Sequence, residues 1–398
     1  MKASPAAKKK VLFLPRWYPN RYDPMPGLFI RRHALSVAGI YDVAVLYIHP
    51  DTEMKGRPFE MVQSGEQGIY ELSIYYQTSR SRMKWLASSI NFYRFLLYHF
   101  LGFRRISKEF GKPDLLHVNV LTRLGFIALI YRIFNGKPYV ITEHWTRYLP
   151  GMNNFRGVLR KRLTRMVVKH ASAVMPVTLN LQKAMESHGL MNSNYRVIPN
   201  VVDTGFFVPS EVGQKDEKTR FIHVSCFDDN QKNISGILRV LKRLSLKRQD
   251  WICTLVGEGI HFRQLSELGE QLGLKDSFVT FAGLKESSEL VTLMQQASFQ
   301  FMFSRYENLP VVIPESFACG VPFISTRVGG IAEHIHPELG ILVEPGDEAA
   351  LQAAVEHMLD HRTDYDQKVI RQYALDHFSK EVIGKQIAGV YREILLKK

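Results

Sequence analysis

Cysteine is scarce in this chain, which has only three among its 398 residues. Cys226, Cys253 and Cys319 lie in apolar or strand-like segments, and their spacing matches no paired metal-binding pattern. An odd and sparse set cannot build a disulfide framework and is typical of reduced thiols. The composition therefore argues against a disulfide-stapled protein and a zinc site, and it predicts a cytoplasmic location.

Long hydrophobic runs are also missing from the sequence. No stretch approaches the roughly 18–20 apolar residues that span a bilayer, since residues 91–103 are interrupted by Arg94 and His99. The basic residues at the start precede only four apolar positions, Val11–Leu14, so we do not expect a secretory signal. A flexible tail that leads into the first strand is the simpler interpretation.

Acidic residues are few in the first half of the chain. Residues 1–200 hold 30 Lys and Arg against 11 Asp and Glu, a net charge of +19, whereas residues 201–398 hold 22 against 27, a net charge of −5. This asymmetry indicates that one half meets a large anion, either a nucleic acid or an anionic membrane surface.

Two helical segments of the basic half mix charged and apolar residues. They are Lys84–Arg105 and Arg156–Lys169. Such a pattern arises when core helices extend their basic side chains to solvent, and also when a helix binds a membrane surface. Together with the net charge of this half, it favours peripheral association with anionic lipid at the inner face of the cytoplasmic membrane.

Strand-like segments alternate with helical segments along the whole chain, which predicts α/β folding with parallel sheets. The length exceeds what one core supports, and a polar segment rich in turn residues at 203–218 marks a boundary. We expect an N-terminal domain over 1–205, joined by a last helix over 380–398, and a C-terminal domain over 206–379. The predicted strands lie at 11–15, 42–48, 115–120, 139–144, 173–178, 221–226, 252–257, 279–283, 299–304 and 322–326.

The segment 304–333, SRYENLPVVIPESFACGVPFISTRVGGIAE, is the most informative part of the sequence. Two carboxylates, Glu307 and Glu315, are separated by seven residues. Pro310 and Pro314 fit only a loop or the first turn of a helix, and Gly320 fits a left-handed helix end. These signals place Glu307 in a loop and Glu315 about one turn into a helix.

The start of that helix suits an anionic ligand. Backbone N–H groups near Val311 and Val312 would point out of the helix end, where the helix dipole favours negative charge. Glu307 and Glu315 flank this point and could accept hydrogen bonds from hydroxyl groups. A phosphate joined to sugars fits this combination.

The segment resembles the nucleotide-sugar site of the retaining GT-B glycosyltransferases, family 4 (glycosyl transferases group 1) in particular. The motifs ACGVPFIST and GGIAE, which follow the two carboxylates, strengthen the resemblance. It implies two Rossmann-like, doubly wound parallel-sheet domains that face a cleft. It also implies that Glu307 contacts the transferred sugar and Glu315 holds the ribose. The backbone at Asn308, Leu309 and Val311 would hold the sugar and phosphates.

The segment that contains Lys232 resembles the family's clamp for the donor diphosphate. Lys232 occupies the position of the clamp lysine. The arginine that accompanies it in the family is missing, since Cys226 or Phe227 stands near its place. Arg305 and Arg327 are the two candidates to compensate for it.

The remaining matches are short. Gly257 and Gly283 resemble the strand-end turns beside the nucleotide base. His144, at the end of the predicted strand YVITEH, resembles a cleft histidine that hydrogen-bonds the sugar or orients the transferring group. Gly27, in the loop after the first strand, resembles the glycine loop that lies against the donor phosphates and the acceptor.

The resemblance implies transfer of a sugar, with retained anomeric configuration, from a nucleotide-sugar to a glycan or lipid-linked acceptor. Assembly of lipopolysaccharide or capsule is the expected setting. No cofactor and no metal are expected, and Asp364–Asp366 is interpreted as surface. A nucleotide-sugar epimerase on the same fold stays open as an alternative. So does a non-enzymatic nucleic-acid binder, although no recognised binding motif supports a nucleic-acid partner. The sequence leaves the oligomeric state undetermined.

Overall fold

A computed structural model describes residues 7–121, 123–152, 154–210 and 218–397. The chain divides into two compact units. Unit 1 comprises the described residues of 1–177, 182–201 and 383–398, and unit 2 comprises those of 178–181 and 202–382. Within the described ranges, no helix combines the length and apolar character needed to cross a bilayer.

Unit 1 is built on a seven-stranded sheet. Its strands are β1 (Lys10–Pro15), β2 (Asp42–Asp51), β3 (Phe59–Ser64), β4 (Ile69–Gln77), β5 (Leu115–Asn119), β6 (Tyr139–Glu143) and β7 (Ala173–Pro176). The order in the sheet is β3-β4-β2-β1-β5-β6-β7. All neighbours pair in parallel except β3, which is antiparallel to β4. Strands β5 and β6 are buried throughout, as parallel strands covered on both faces must be.

Helices cover the unit 1 sheet. They are α1 (Leu28–Val37), α2 (Lys84–Glu109), α3 (Arg123–Asn135), α4 (Val158–His170) and α5 (Leu179–Ser187). The first residues of α5 belong to unit 2. The last helix of the chain, over Lys380–Leu396, packs its apolar face into the core of unit 1. Tyr391 of that helix reaches the sheet, where its hydroxyl lies 2.5 Å from Nδ1 of His117 on β5.

Unit 2 is built on a six-stranded sheet that is parallel throughout. Its strands are β8 (Thr219–Val224), β9 (Trp251–Val256), β10 (Val279–Gly283), β11 (Phe299–Phe301), β12 (Phe323–Thr326) and β13 (Gly340–Val343), in the order β10-β9-β8-β11-β12-β13. Its helices are α6 (Asp229–Lys232), α7 (Ile234–Lys247), α8 (Phe262–Gln271), α9 (Ser287–Gln295), α10 (Val312–Ala318), α11 (Glu348–His361) and α12 (Gln367–Phe378). The last helix of the chain, Lys380–Leu396, is named α13.

Both sheets reverse their winding direction at one point. In unit 1 the chain builds outward from β1 to β2 and then crosses back to β5, and in unit 2 it builds outward from β8 and then crosses back to β11. Open α/β sheets bind ligands outside the carboxyl ends of their strands at such points. The topology therefore marks one candidate position in each unit.

The predicted α/β class with two doubly wound, largely parallel sheets is confirmed. The strand predicted at 299–304 is wrong in length, because β11 ends at Phe301 and the chain then leaves the sheet. Gly329-Gly330 is followed by a 3₁₀ turn, Ile331–Glu333. Strands β3, β4 and β13 lie outside all of the predicted strand segments.

Candidate functional site

The carboxyl edge of the unit 2 sheet collects the residues that the motifs singled out. Lys232 follows β8, Gly257 follows β9, Gly283 ends β10 and Glu307 follows β11. The carboxyl ends of parallel strands meet at one edge of a sheet, so these residues share that edge. Lys232 and Glu307 follow β8 and β11, the two strands at which the winding reverses.

Lys232 and Glu307 form a buried ion pair. The Lys232 ammonium donates to Oε1 of Glu307, and the two residues are only 7 and 5 % exposed. Burial by itself would lower the pKa of Lys232, but the adjacent Glu307 carboxylate outweighs it, and the net effect is a raised pKa. Lys232 is therefore a cation at neutral pH, held in surroundings of low dielectric constant.

The loop that carries Glu307 is fixed at both ends by hydrogen bonds. The Thr326 hydroxyl donates to the carbonyl of Ser304 over 2.7 Å. The Gly330 amide donates to the carbonyl of Asn308 over 2.9 Å, and the Thr178 hydroxyl donates to Oδ1 of the same residue over 2.8 Å. Thr326 therefore holds the start of this loop, while Gly330 and Thr178 hold the backbone and the side chain of Asn308.

Gly329 permits the close approach that positions Glu307. Its φ angle is +57°, and a Cβ at this residue would lie 2.0 Å from the carbonyl oxygen of Glu307. A side chain here would displace the loop, so only glycine satisfies both the conformation and the contact. The motif GGIAE thus has a physical role, because its first glycine lets this segment pack directly against the backbone of the Glu307 loop.

Glu315 lies where the turn residues predicted it. It is the fourth residue of α10 and is buried, and Pro314 precedes it within the first turn. Gly320 has a φ angle of +71° just beyond the helix, as its predicted cap role requires. The Leu309 side chain packs into the core of unit 2, so only its backbone can face a ligand. Val311 is the residue that precedes α10.

The two predicted glycine turns contact each other. The Gly257 amide donates to the carbonyl of Gly283 over 2.8 Å. Gly257 has a φ angle of +137°, and a Cβ there would lie 1.8 Å from the carbonyl oxygen of Ser225. The carboxyl ends of β8, β9 and β10 are therefore drawn together, which leaves backbone groups, without side chains, along this stretch of the edge.

Cys226 and Phe227, which stand near the place of the missing clamp arginine, supply no positive charge. The ring of Phe227 is fully buried and packs 5.1 Å from that of Phe262 and 6.4 Å from that of Phe281. Cys226 is exposed. The core around Phe227 explains the departure, because this position holds an apolar anchor for α8 and β10.

Arg305 is the better placed of the two compensating candidates. Its guanidinium donates to the carbonyl of Asp229 over 2.5 Å and to Oδ1 of Asn233 over 2.6 Å, so it lies against α6, which ends at Lys232. Arg327 instead forms an ion pair with Glu344 at 3.2 Å. Of the two candidates, Arg305 is therefore the one that lies beside the helix carrying Lys232.

His144 lies at the carboxyl end of β6 in unit 1. Its Nδ1 donates to Oδ1 of Asn200 over 3.2 Å, and its ring centroid lies 4.5 Å from that of Phe29 and 5.4 Å from that of His33. Burial, reinforced by His33, holds the pKa of His144 well below its usual value. The imidazole is therefore neutral at pH 7 and can exchange hydrogen bonds without carrying charge.

Gly27 directly precedes helix α1 in the same unit. Its φ angle is +73°, and a Cβ at this residue would lie 2.1 Å from the carbonyl oxygen of Trp17. The loop after β1 therefore folds back on itself tightly. Phe29, two residues on, contacts His144, so the structure brings this loop and the histidine together.

Sequence reasoning missed a set of arginines in unit 1. They are Arg16, Arg123, Arg147 and Arg160, and they line one cavity. A signal was present, since Arg16 directly follows β1, while Arg123 and Arg147 each come four residues after the end of a strand. Only the strand order shows that these positions converge.

Within the described part of the chain, no three His, Cys, Asp or Glu side chains converge in a way that could hold a metal ion. Asp364 and Asp366 are exposed, as predicted, and Asp366 caps α12 by accepting from the Lys368 amide over 2.7 Å. The roles assigned to the site residues stay predictions.

Comparison with known proteins gives two family matches. The sequence model for Glycosyltransferase Family 4 matches residues 61–206, and that for Glycosyl transferases group 1 matches residues 208–375. A similar relative is the N-acetyl-alpha-D-glucosaminyl L-malate synthase of Bacillus anthracis, which is 26% identical over 303 residues, 71% of this chain and 75% of that protein.

Solved structures agree on the fold. The sucrose-phosphate synthase of Thermosynechococcus elongatus aligns with a TM-score of 0.77 at 18% identity, covering 98% of this chain and 100% of that one. Anabaena HepE in complex with UDP aligns with a TM-score of 0.72 at 16% identity, covering 97 and 100%. The chain therefore belongs to the glycosyl transferases group 1, the family 4 type of GT-B glycosyltransferases.

Proposed function

We propose that this glycosyltransferase moves a sugar, with retention of anomeric configuration, from a nucleotide-diphosphate sugar to a hydroxyl group of a lipid-linked or surface-polysaccharide acceptor. The observation that carries the proposal is the buried pair of Lys232 and Glu307 at the reversal point of the unit 2 sheet. A buried cation beside a carboxylate offers one group for a diphosphate and one for sugar hydroxyls.

In this proposal Lys232 and Arg305 stabilise the negative charge that develops on the leaving diphosphate. Both cations are already in place, so little reorganisation is required during the reaction. The amides at Val311 and Val312 add donors; none of the described carbonyl or side-chain groups accepts from them. Fixed positive groups of this kind perform the role that a metal ion would otherwise have, and we propose that none is required.

The proposed reaction takes place on one face of the sugar. The bond from the anomeric carbon to the diphosphate oxygen breaks while the acceptor oxygen bonds to the same face, and the acceptor proton passes to the leaving phosphate. Glu307 orients the transferred sugar through its hydroxyls, and Glu315 holds the ribose. His144 is neutral, which supports a hydrogen-bonding role towards the sugar and not that of a charged acid.

Nucleotide binding provides the direct test of this proposal. One member of a panel of UDP-, GDP- and ADP-sugars should raise the melting temperature of the protein. UDP-sugars should be tested first, because the structurally similar HepE was crystallised with UDP. Glu315→Ala should weaken that binding by about 10–100-fold, because two hydrogen bonds from ribose hydroxyls to a buried carboxylate are lost.

Glu338→Ala is the matched control, since it removes an exposed carboxylate from the same unit. It should leave nucleotide binding unchanged. If no nucleotide-sugar stabilises the protein, or if Glu315→Ala responds as strongly as the control, the site assignment fails.

We also propose that unit 1 associates with anionic membrane at the inner face of the cytoplasmic membrane. Helices α2 and α4 support this, because they expose large apolar side chains among basic ones. Trp85 is 68 % exposed and Leu159 is 70 % exposed. Apolar side chains that enter a membrane interface and basic side chains that attract anionic lipid each contribute to binding, and the two contributions add.

Vesicle co-sedimentation tests the membrane proposal. The protein should bind phosphatidylglycerol vesicles and not phosphatidylcholine vesicles, and rising salt should release it. Trp85→Ser combined with Leu159→Ser should weaken binding by about tenfold, whereas Leu246→Ser, an equally exposed leucine of unit 2, should have no effect. Equal binding to both kinds of vesicle, or an equal loss in the control, would contradict the proposal.

A further inference from the structure

Unit 1 contains a cavity of about 940 Å³ at the carboxyl edge of its sheet. Its lining includes Pro15 and Arg16 at the end of β1, together with Leu121 and Arg123 after β5. These are the two strands at which the winding of the sheet reverses, the position where open α/β sheets bind ligands. The location therefore makes the cavity a candidate ligand site of unit 1.

Four arginines line this cavity, and no ion pair within the described residues includes any of them. They are Arg16, Arg123, Arg147 and Arg160. The nearest carboxylate in the sequence, Glu143, is fully buried and accepts instead from the backbone amides of Leu121, His144 and Trp145 over 2.8–2.9 Å. Glu143 lies close enough to interact electrostatically with Arg16 and Arg147, but its hydrogen bonds go to backbone amides. The cavity therefore presents four guanidinium groups against one buried carboxylate that forms no ion pair with them.

Arg147 is the most constrained of the four. It is only 7 % exposed, and its buried Nε has no hydrogen-bond partner. Its guanidinium lies 3.3 Å from the ring centroid of Trp145, and that of Arg16 lies 4.7 Å from the same ring. Burial, with Arg160 and Arg16 nearby, lowers the pKa of Arg147 to about 10. A buried guanidinium with an unused donor is costly unless an anion completes it.

Much of the remaining wall of the cavity is apolar, although Tyr47, His49, Tyr76, His99 and Thr164 also line it. Phe92 and Phe95 contribute from α2, Phe126 from α3, and Leu159 and Leu163 from α4. Arg123 lies 5.4 Å from the ring centroid of Phe92, so the charged and apolar parts adjoin each other. Phe92, Leu159 and Leu163 of this set are exposed. A purely hydrophilic sugar would leave this apolar surface unused, whereas a ligand with both an anionic and an apolar part would cover it.

We propose that this cavity binds the acceptor, and that the acceptor carries a phosphate or diphosphate group joined to an apolar chain. The inference rests on the proposed function, since it names the acceptor class of that reaction. Planar guanidinium groups bind phosphate oxygens in pairs, which suits Arg123, Arg147 and Arg160 to the anionic group. The apolar chain then lies along α2 and α4.

Binding of three probes tests the proposal without requiring the natural acceptor. Farnesyl diphosphate combines a chain with a diphosphate, farnesol has the chain alone, and inorganic diphosphate has the charge alone. Titration calorimetry on the full chain, below the micellar range, should show farnesyl diphosphate binding at least about tenfold more tightly than either of the others. Arg123→Gln combined with Arg160→Gln should weaken that binding by about 10–100-fold.

Arg162→Gln is the matched control, because Arg162 is exposed on α4 but lies outside the cavity lining. Arg147→Gln serves as a further variant once circular dichroism shows that it folds. Lys232→Met should leave farnesyl diphosphate binding intact, and the arginine variants should keep the thermal shift with the nucleotide-sugar. If neither the unmodified protein nor any variant showed the thermal shift with a nucleotide-sugar, the proposed function would fail, and not the inference about the cavity.

Three results would overturn the inference. Inorganic diphosphate that binds as tightly as farnesyl diphosphate would show a site for a soluble anion only. Farnesol that binds as tightly would show that the arginines are irrelevant. Binding that depends on Lys232, and not on Arg123 and Arg160, would place the probe in unit 2.

Discussion

Replacing Glu307 with alanine is expected to reduce sugar transfer by about 10²–10³-fold, because this carboxylate orients the sugar at the reacting carbon. The same change leaves the buried Lys232 ammonium without its partner. An unpaired buried charge costs about 3–5 kcal/mol of unfolding free energy. Turnover with the identified donor and urea unfolding therefore measure two separate consequences of one substitution.

A double variant separates the two effects. Lys232→Met with Glu307→Leu removes both charges and leaves apolar side chains of similar size, so much of the lost stability should return while transfer stays absent. Because the pKa of Lys232 is raised, the stabilisation by the pair is fully present at neutral pH and is lost only as pH rises through that value.

The outcome that would contradict the site is clear. A Glu307→Ala protein that transfers sugar at the normal rate would exclude Glu307 from the chemistry. A double variant no more stable than Glu307→Ala would show that the ion pair is not what makes the single change costly.

Lowering the pH from 7 to 5 is expected to destabilise unit 1 more strongly than unit 2. Among the described residues, burial as the main cause holds the pKa of four histidines of unit 1 far below the usual value, against two in unit 2. Those of unit 1 are His33 and His99, with a pKa of about 4, and His117 and His144, with a pKa well below the usual value. Those of unit 2 are His223 and His334, with a pKa of about 4.

The direction of the pH effect follows from proton binding. Below about pH 6.5 the unfolded chain protonates these histidines, while the folded protein keeps them neutral, so stability is complete above pH 6.5 and falls with decreasing pH. Each histidine contributes a loss of about 2 kcal/mol by pH 5, against a total stability of about 5–15 kcal/mol for a typical protein.

Hydrogen-exchange mass spectrometry at pH 7, 6 and 5, corrected for intrinsic rates, resolves the two units. Peptides from β1, β5 and β6 should lose protection first. His99→Phe should move that loss to lower pH, because Nε2 of His99 is buried without a partner and a phenyl ring has no proton to bind. Equal loss in both units, or full protection of unit 1 down to pH 4, would contradict the prediction.

Local chemistry made much of the donor-side geometry predictable. Proline and glycine restrict the backbone wherever they occur, so Pro314 and Gly320 located α10 and placed Glu315 in its first turn before any contact was known. Buried parallel strands are near-continuous apolar runs, and the mostly apolar segments LLHVN and YVITE therefore indicated β5 and β6. β3 was not predicted because it is a half-exposed edge strand without a clear apolar pattern.

Interactions between distant segments were beyond such reasoning. The sequence suggested separate roles for Lys232 and Glu307, but only the structure shows that they are paired and buried. It left Arg305 and Arg327 equivalent, and the structure separates them because Glu344 engages one while α6 holds the other.

The sequence by itself determined the α/β class, most strand positions and the motif that carries the family resemblance, because each depends on residues close together in the chain. Only the tertiary structure decided that Arg16, Arg123, Arg147 and Arg160 share one cavity. These residues are spread over three strand ends and a helix, and no spacing rule links them. The order of strands in the sheet brings them to one edge, and that order is set by the packing of the whole unit.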